Sequence, residues 1–132
     1  MILTIDEYTD RMKQDLILII DDDPAIVEAL QMILELEGFS TEGYSGRKVL
    51  DKIVSVDPDL LLLDVWLAGE DGRKICHILK SDPLTETLPV VLISAGRDLS
   101  ATAASVAADD FIEKPFNMDD VIAKVKRLLE PR

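Results

Sequence analysis

Four consecutive leucines, Leu60 to Leu63, run directly into Asp64. The run is too short for a packed helix and has no polar face, so it reads as a strand covered on both sides. Strands of that kind belong to parallel sheets, whose crossover helices bury both faces. Three further segments repeat the pattern. Leu16 to Ile20 runs into Asp21-Asp22, Val90 to Ile93 runs into Ser94, and Phe111-Ile112 leads through Glu113 to Lys114-Pro115. If these runs are parallel, three carboxylates, a hydroxyl and an ammonium share one sheet edge. That is the edge where open α/β sheets bind ligands.

The segments between the runs have helical spacing. Pro24 suits a first helical turn, Ile26, Val27, Leu30, Ile33 and Leu34 follow at helical intervals, and Gly38 is a stop signal. A short polar strand is expected around Ser40 to Tyr44, then a helix with Val49, Leu50 and Ile53 facing inward. Asp71-Gly72 opens a helix carrying Ile75, Ile78 and Leu79. An Ala-rich helix is expected across 99 to 108, a strand near 110 to 113, and a last helix with Val121, Val125, Leu128 and Leu129. The order is (βα) five times, which predicts an α/β three-layer sandwich with right-handed crossovers. The flavodoxin-like order 2-1-3-4-5 then sets the first and third strands side by side. Residues 1–14 read as an N-terminal extension and 15–132 as the domain.

At 132 residues the chain makes one domain, and its 48% hydrophobic content suits a packed core. No apolar run approaches the length of a bilayer span, and the N-terminus lacks the basic start and apolar stretch of a secretory signal. A cytoplasmic protein without a membrane partner is expected. The single cysteine, Cys76, excludes an internal disulfide. A formal net charge of −12 argues against direct nucleic-acid binding, which depends on Lys and Arg meeting phosphates.

Clustered carboxylates repel: two charges ~5 Å apart cost roughly 3 kcal/mol at an effective dielectric of 20. A hard cation such as Mg²⁺, with Mn²⁺ as a substitute, relieves that repulsion and takes oxygen ligands. A carboxylate is also a nucleophile toward a phosphoryl donor, giving an aspartyl phosphate. Such a group calls for a cation on its oxygens and a hydroxyl donor beside it, and Lys114 and Ser94 have that chemistry.

The stretches ILIIDDDP (17–24), PDLLLLDVWLAGEDG (58–72), LPVVLISA (88–95) and ADDFIEKPF (108–116), taken in order, resemble the receiver domain of two-component response regulators over roughly residues 15 to 130. The resemblance implies phosphorylation at Asp64. Asp21 and Asp22 would be the acidic pair, Asp22 binding the metal directly and Asp21 through water, with Asp64 and the Trp66 backbone carbonyl completing the metal site. Ser94 and Lys114 would each contact a phosphoryl oxygen, Lys114-Pro115 would be cis, and Phe111 would be the aromatic switch residue. A histidine kinase, a phosphotransfer protein or a small phosphodonor would supply the group. The output would be a changed surface formed by the 99–108 helix, the 110–113 strand and the last helix, read by an effector protein or a fused effector domain. A phospho-acceptor switch is implied rather than an enzyme acting on other molecules, and a monomer or weak dimer.

The chain departs from the family pattern at four places. Ala68 replaces a usual proline, Ala107 a common glycine, and Phe111 a tyrosine. The 99–108 segment has no Lys or Arg, which argues against dimerisation through that face. Trp66 is bulky beside the acceptor, and a long-lived phosphoryl group is expected from it. The competing reading is a haloacid-dehalogenase-like phosphatase, with Asp21 as nucleophile and Asp23 as acid/base, but it leaves Asp64 without a role. Plainer expectations stand beside these: Asp23 as a helix N-cap, His77 solvated, Cys76 as packing, and Asp109-Asp110 on exposed positions.

Overall fold

Residues 2, 4, 5, 14–67, 69–95 and 107–130 are described by the computed structural model. Five parallel strands form one sheet: β1 (Leu16–Ile20), β2 (Ser40–Tyr44), β3 (Leu60–Asp64), β4 (Val90–Ser94) and β5 (Asp110–Glu113). Their spatial order is β2-β1-β3-β4-β5, as predicted. Ile20 lies opposite Leu63, Asp64 opposite Ile93, and Ser94 opposite Glu113. The chain therefore leaves β1, β3, β4 and β5 at nearly one level, which brings residues 21, 64, 94 and 114 to the same edge.

Alternation along the central strands makes two cores. Leu18, Ile20, Leu61, Leu63 and Leu92 pack on one face with Val49, Ile53, Ile75 and Leu79. Ile17, Ile19, Leu60, Leu62, Ile93 and Ile112 pack on the other with Val27, Leu30, Leu34, Val121 and Val125. Cys76 is buried within the first core, and His77 is exposed.

Helix α1 (Pro24–Leu36) starts where Asp23 accepts the Ala25 N–H and Pro24 takes the first position. It stops at Gly38, whose φ of 94° few other residues tolerate. There Gly38 N–H donates to Glu35 O and Phe39 N–H to Leu34 O, satisfying two end carbonyls. The helix expected around Val49 to Ile53 is instead a 3₁₀ segment, Arg47–Lys52, followed by a single turn, α2 (Ile53–Val56). It ends at Asp57 in the left-handed region, with Pro58 next. The inward residues are still Val49 and Ile53, with Leu50 half-buried. Helix α3 (Gly72–Ser81) buries Ile75 and Leu79 but leaves Ile78 exposed. Helix α4 (Met118–Leu129) carries the C-terminal apolar stripe.

The helix expected across 99 to 108 lies outside the described residues except for Ala107 and Ala108, which lead into β5. Ala107 has φ 60°, where a glycine would be unstrained. Asp109 and Asp110 do more than decorate the surface. Asp109 pairs with Lys80 at 2.6 Å and accepts the Val90 N–H, while Asp110 pairs with Arg127. Of the predicted extension, Ile2, Thr4, Ile5 and Gln14 are described, and all are exposed. Among the described residues no helix is long and apolar enough to cross a membrane.

Candidate functional site

Asp21 follows the last residue of β1 and Asp64 is the last residue of β3, so adjacent strands deliver both carboxylates to one place. Asp21 is 1% exposed and Asp64 6%. Lys114, from the loop after β5, reaches both: its Nζ is 2.8 Å from Asp21 Oδ2 and 3.7 Å from Asp64 Oδ1. The Lys114-Pro115 bond is cis, as the resemblance implies. Lys114 is held by its own N–H, which donates to Ser94 O at 2.9 Å. Ser94, the buried last residue of β4, stands beside it at 3% exposure.

Each acid is treated differently. Asp21 Oδ1 accepts the Asp23 N–H at 2.9 Å, which folds the backbone sharply into α1. Its Oδ2 is buried and accepts no directed hydrogen bond among the described residues, although the Lys114 ammonium lies close by. Asp64 Oδ1 faces the Trp66 N–H at 3.4 Å. Burial, then the charge of Asp21, pushes the Asp64 carboxyl above the ordinary carboxylate range; Lys114 and the Trp66 N–H pull it partly back. Asp22 is exposed, and its charge adds a smaller upward push on the Asp64 carboxyl.

Among the described residues no three His, Cys, Asp or Glu side chains stand as a ready-made metal cage. A magnesium ion does not need one, since it keeps several waters and binds through one or two carboxylates plus substrate phosphate. The donors at this edge are all oxygens, and Asp21 Oδ2 is a buried carboxylate oxygen without a directed donor. Both features fit a hard cation.

Phe111 lies outside this pocket. It is half-buried two residues before Glu113 on β5, against the first core, with Lys124 Nζ 4.9 Å from its ring centroid. Trp66 is 57% exposed and belongs to a two-residue antiparallel ladder with Glu70 and Asp71, so its ring does not seal the sheet edge. Two residues gain a role that the sequence reading had not given them. A Cβ on Gly72 would sit 2.3 Å from the Asp64 carbonyl oxygen, so only glycine lets α3 begin this close to the acceptor. Arg73 grips Asp71 and covers the Trp66 ring. The Asp71-Gly72 pair marked a helix start, but neither contact has a signature in one dimension.

The model of the response regulator receiver domain family matches residues 17–126. Response regulator MprA of Mycolicibacterium vanbaalenii is 36% identical over 116 residues, covering 86% of this chain and 49% of that protein. DNA-binding response regulator MtrA of Mycolicibacterium smegmatis is 35% identical over 123 residues, covering 91% and 52%. The chain thus spans about half the length of the curated relatives it matches. Among solved structures, the signal receiver domain of a signal transduction histidine kinase from Syntrophus aciditrophicus superposes with a TM-score of 0.78 at 36% identity, over 87% of this chain and 89% of that one. With strand order, edge residues and family match in agreement, this chain belongs to the response regulator receiver domain family.

Proposed function

We propose that Asp64 accepts a phosphoryl group from the phosphohistidine of a histidine kinase or phosphotransfer protein, or from a small phosphodonor. The observation that carries this reading is the Lys114 ammonium facing both buried carboxylates, Asp21 and Asp64, at the carboxyl edge. An Asp64 oxygen attacks phosphorus, the donor's P–N or P–O bond breaks, and an acyl phosphate remains on Asp64. Burial and the Asp21 charge make the Asp64 carboxylate more basic than a solvated one, which favours it as the nucleophile. Asp21, Asp22, Asp64 and the Trp66 carbonyl would hold Mg²⁺ or Mn²⁺, which supplies charge neutralisation between carboxylates and phosphoryl oxygens. Lys114 moves its charge from Asp21 toward the new phosphoryl oxygens, and the Ser94 hydroxyl donates to another.

These two movements are the switch. Ser94 ends β4 and Lys114 follows β5, so their displacement bears on Phe111 and on the surface of β5 and α4. The bias toward the active state is no larger than the extra stabilisation that phosphorylation gives it. The partner reading that surface is an effector protein or a fused effector domain. The net charge of −12 keeps this segment itself from binding nucleic acid, and a cytoplasmic monomer or weak dimer fits the role. The chain is a switch that assists its own phosphorylation and dephosphorylation. The dehalogenase-like alternative loses ground to the family match, and to the use of its would-be acid/base, Asp23, as the cap of α1.

Acetyl phosphate with Mg²⁺ is expected to label the native chain once and Asp64→Ala not at all, read by intact mass. Equal labelling of both would overturn the assignment, and so would sustained turnover of p-nitrophenyl phosphate. With its ring mostly exposed, Trp66 does not by itself argue for the long-lived group expected from its bulk, and a dephosphorylation half-life measures that point directly.

A further inference from the structure

After Asp64 the chain alternates: Val65 and Leu67 are buried in the first core and Val65 N–H donates to Ile93 O at 2.9 Å, while Trp66 between them points outward. The ladder of Trp66-Leu67 with Glu70-Asp71 is only two residues long on each side, too short to support itself. The Trp66 ring is mostly solvent-exposed, so the core holds its neighbours but not the ring itself.

Arg73 supplies a restraint on the ring. Asp71 caps α3 by accepting the Arg73 N–H at 2.9 Å. The same carboxylate takes Arg73 Nε at 2.8 and 2.9 Å and Nη2 at 2.6 Å, a forked charge-assisted pair. The guanidinium so held lies with Cζ 5.1 Å from the centroid of the Trp66 ring. On the other side of the ladder, Arg47 pairs with Glu70 at 2.5 Å. The Trp66 main chain, in turn, presents its N–H to Asp64 Oδ1.

We propose that Arg73 is a positioning residue for the acceptor: gripped by Asp71 and stacked on Trp66, it fixes the Trp66 main chain beside Asp64. It thereby tunes how well the site takes a divalent cation and how fast it takes a phosphoryl group. The inference rests on the reading of Asp64 as phospho-acceptor and concerns the control of that same site.

Magnesium titrations of the native chain, Arg73→Ala, Arg73→Lys and Asp71→Asn test it, followed by calorimetry and by the emission of Trp66, the single tryptophan. Asp71→Asn keeps an acceptor for the helix cap but removes the charge that grips the guanidinium. Magnesium affinity is expected to fall about fivefold in Arg73→Ala and Asp71→Asn, the size of an exposed cation–π contact. Trp66 emission should shift to the red in both, and Arg73→Lys should recover part of the affinity. Native affinity in Arg73→Ala overturns the proposal, as does a loss that Arg73→Lys does not reduce. Acetyl phosphate labelling separates the two levels. A native chain that neither binds Mg²⁺ nor becomes labelled sinks the phospho-acceptor reading and this proposal with it. A native chain that labels normally, beside an Arg73→Ala variant with native constants, removes the role of Arg73 alone.

Discussion

The interior of the sheet and its carboxyl edge are one residue apart on β3, and they obey opposite rules. Leu60 to Leu63 are wholly buried among aliphatic side chains on both faces. Asp64 is almost as buried, yet it shares its surroundings with Asp21 and one ammonium. Four polar or charged residues are buried among the described residues, and three of them, Asp21, Asp64 and Ser94, stand at this edge. The fourth, Thr85, is satisfied by donating to Leu79 O at 2.7 Å, an ordinary structural bond. The contrast teaches that the leucines stabilise the fold by leaving water, whereas the edge keeps charge buried at a cost in stability. The fold is built below the site, and the site is free to be chemical.

The largest effect should come from the interior. Leu62→Ala removes a fully buried side chain and is expected to cost about 3 kcal/mol in urea unfolding. A loss below about 1 kcal/mol would show that β3 tolerates cavities, and the contrast would fail on its structural side. At the edge, the sign reverses on adding a ligand. Mg²⁺ at a hundredfold its dissociation constant should raise unfolding free energy by about 2.7 kcal/mol in the native chain. The gain should shrink markedly in Asp64→Asn.

The pH dependence sharpens the comparison further. Because the Asp64 carboxyl is raised above its ordinary value, the folded chain holds its proton more tightly than the unfolded chain does. That contribution is complete below the ordinary carboxylate range and is lost as pH rises through the raised value. Asp64→Asn, always neutral, should therefore exceed the native chain in stability at neutral pH without Mg²⁺. The two should converge in acid. Parallel curves of unfolding free energy against pH would break the claim that the edge is strained by charge. The smallest change expected is Ala107→Gly, which removes a left-handed alanine and should stabilise the fold by about 1 kcal/mol in the same unfolding assay.

Much of this was legible in one dimension because the runs are extreme. Four leucines in a row admit only a doubly covered strand, and Asp23-Pro24 announces a helix start. The 47–56 segment was misread as a regular helix, since its apolar spacing suits both forms. A left-handed Asp57 before Pro58 cuts it to 3₁₀ plus one turn. Within the site, the residue types at 21, 64, 94 and 114 were legible. The closer approach of Lys114 to Asp21 than to Asp64 was not, because it depends on the path of the loop after β5. The contacts of Gly72 and Arg73 were missed for a related reason: one depends on an absent Cβ beside the Asp64 carbonyl, the other on an exposed ring.

By itself the sequence determined which segments make the five-stranded sheet, which faces of them are buried, and which functional groups end each strand, though not the short ladder at 66–71. Those follow from periodicity and from the cost of putting polar groups among aliphatic ones, which are local properties of the chain. Only the tertiary structure decided that Lys114 and Asp21, far apart in the chain, meet at 2.8 Å, and that Asp21 rather than Asp64, at 3.7 Å, takes the ammonium. Parallel register sets the first, and the path of the loop after β5 sets the second. Both are relations between distant segments that no local pattern encodes.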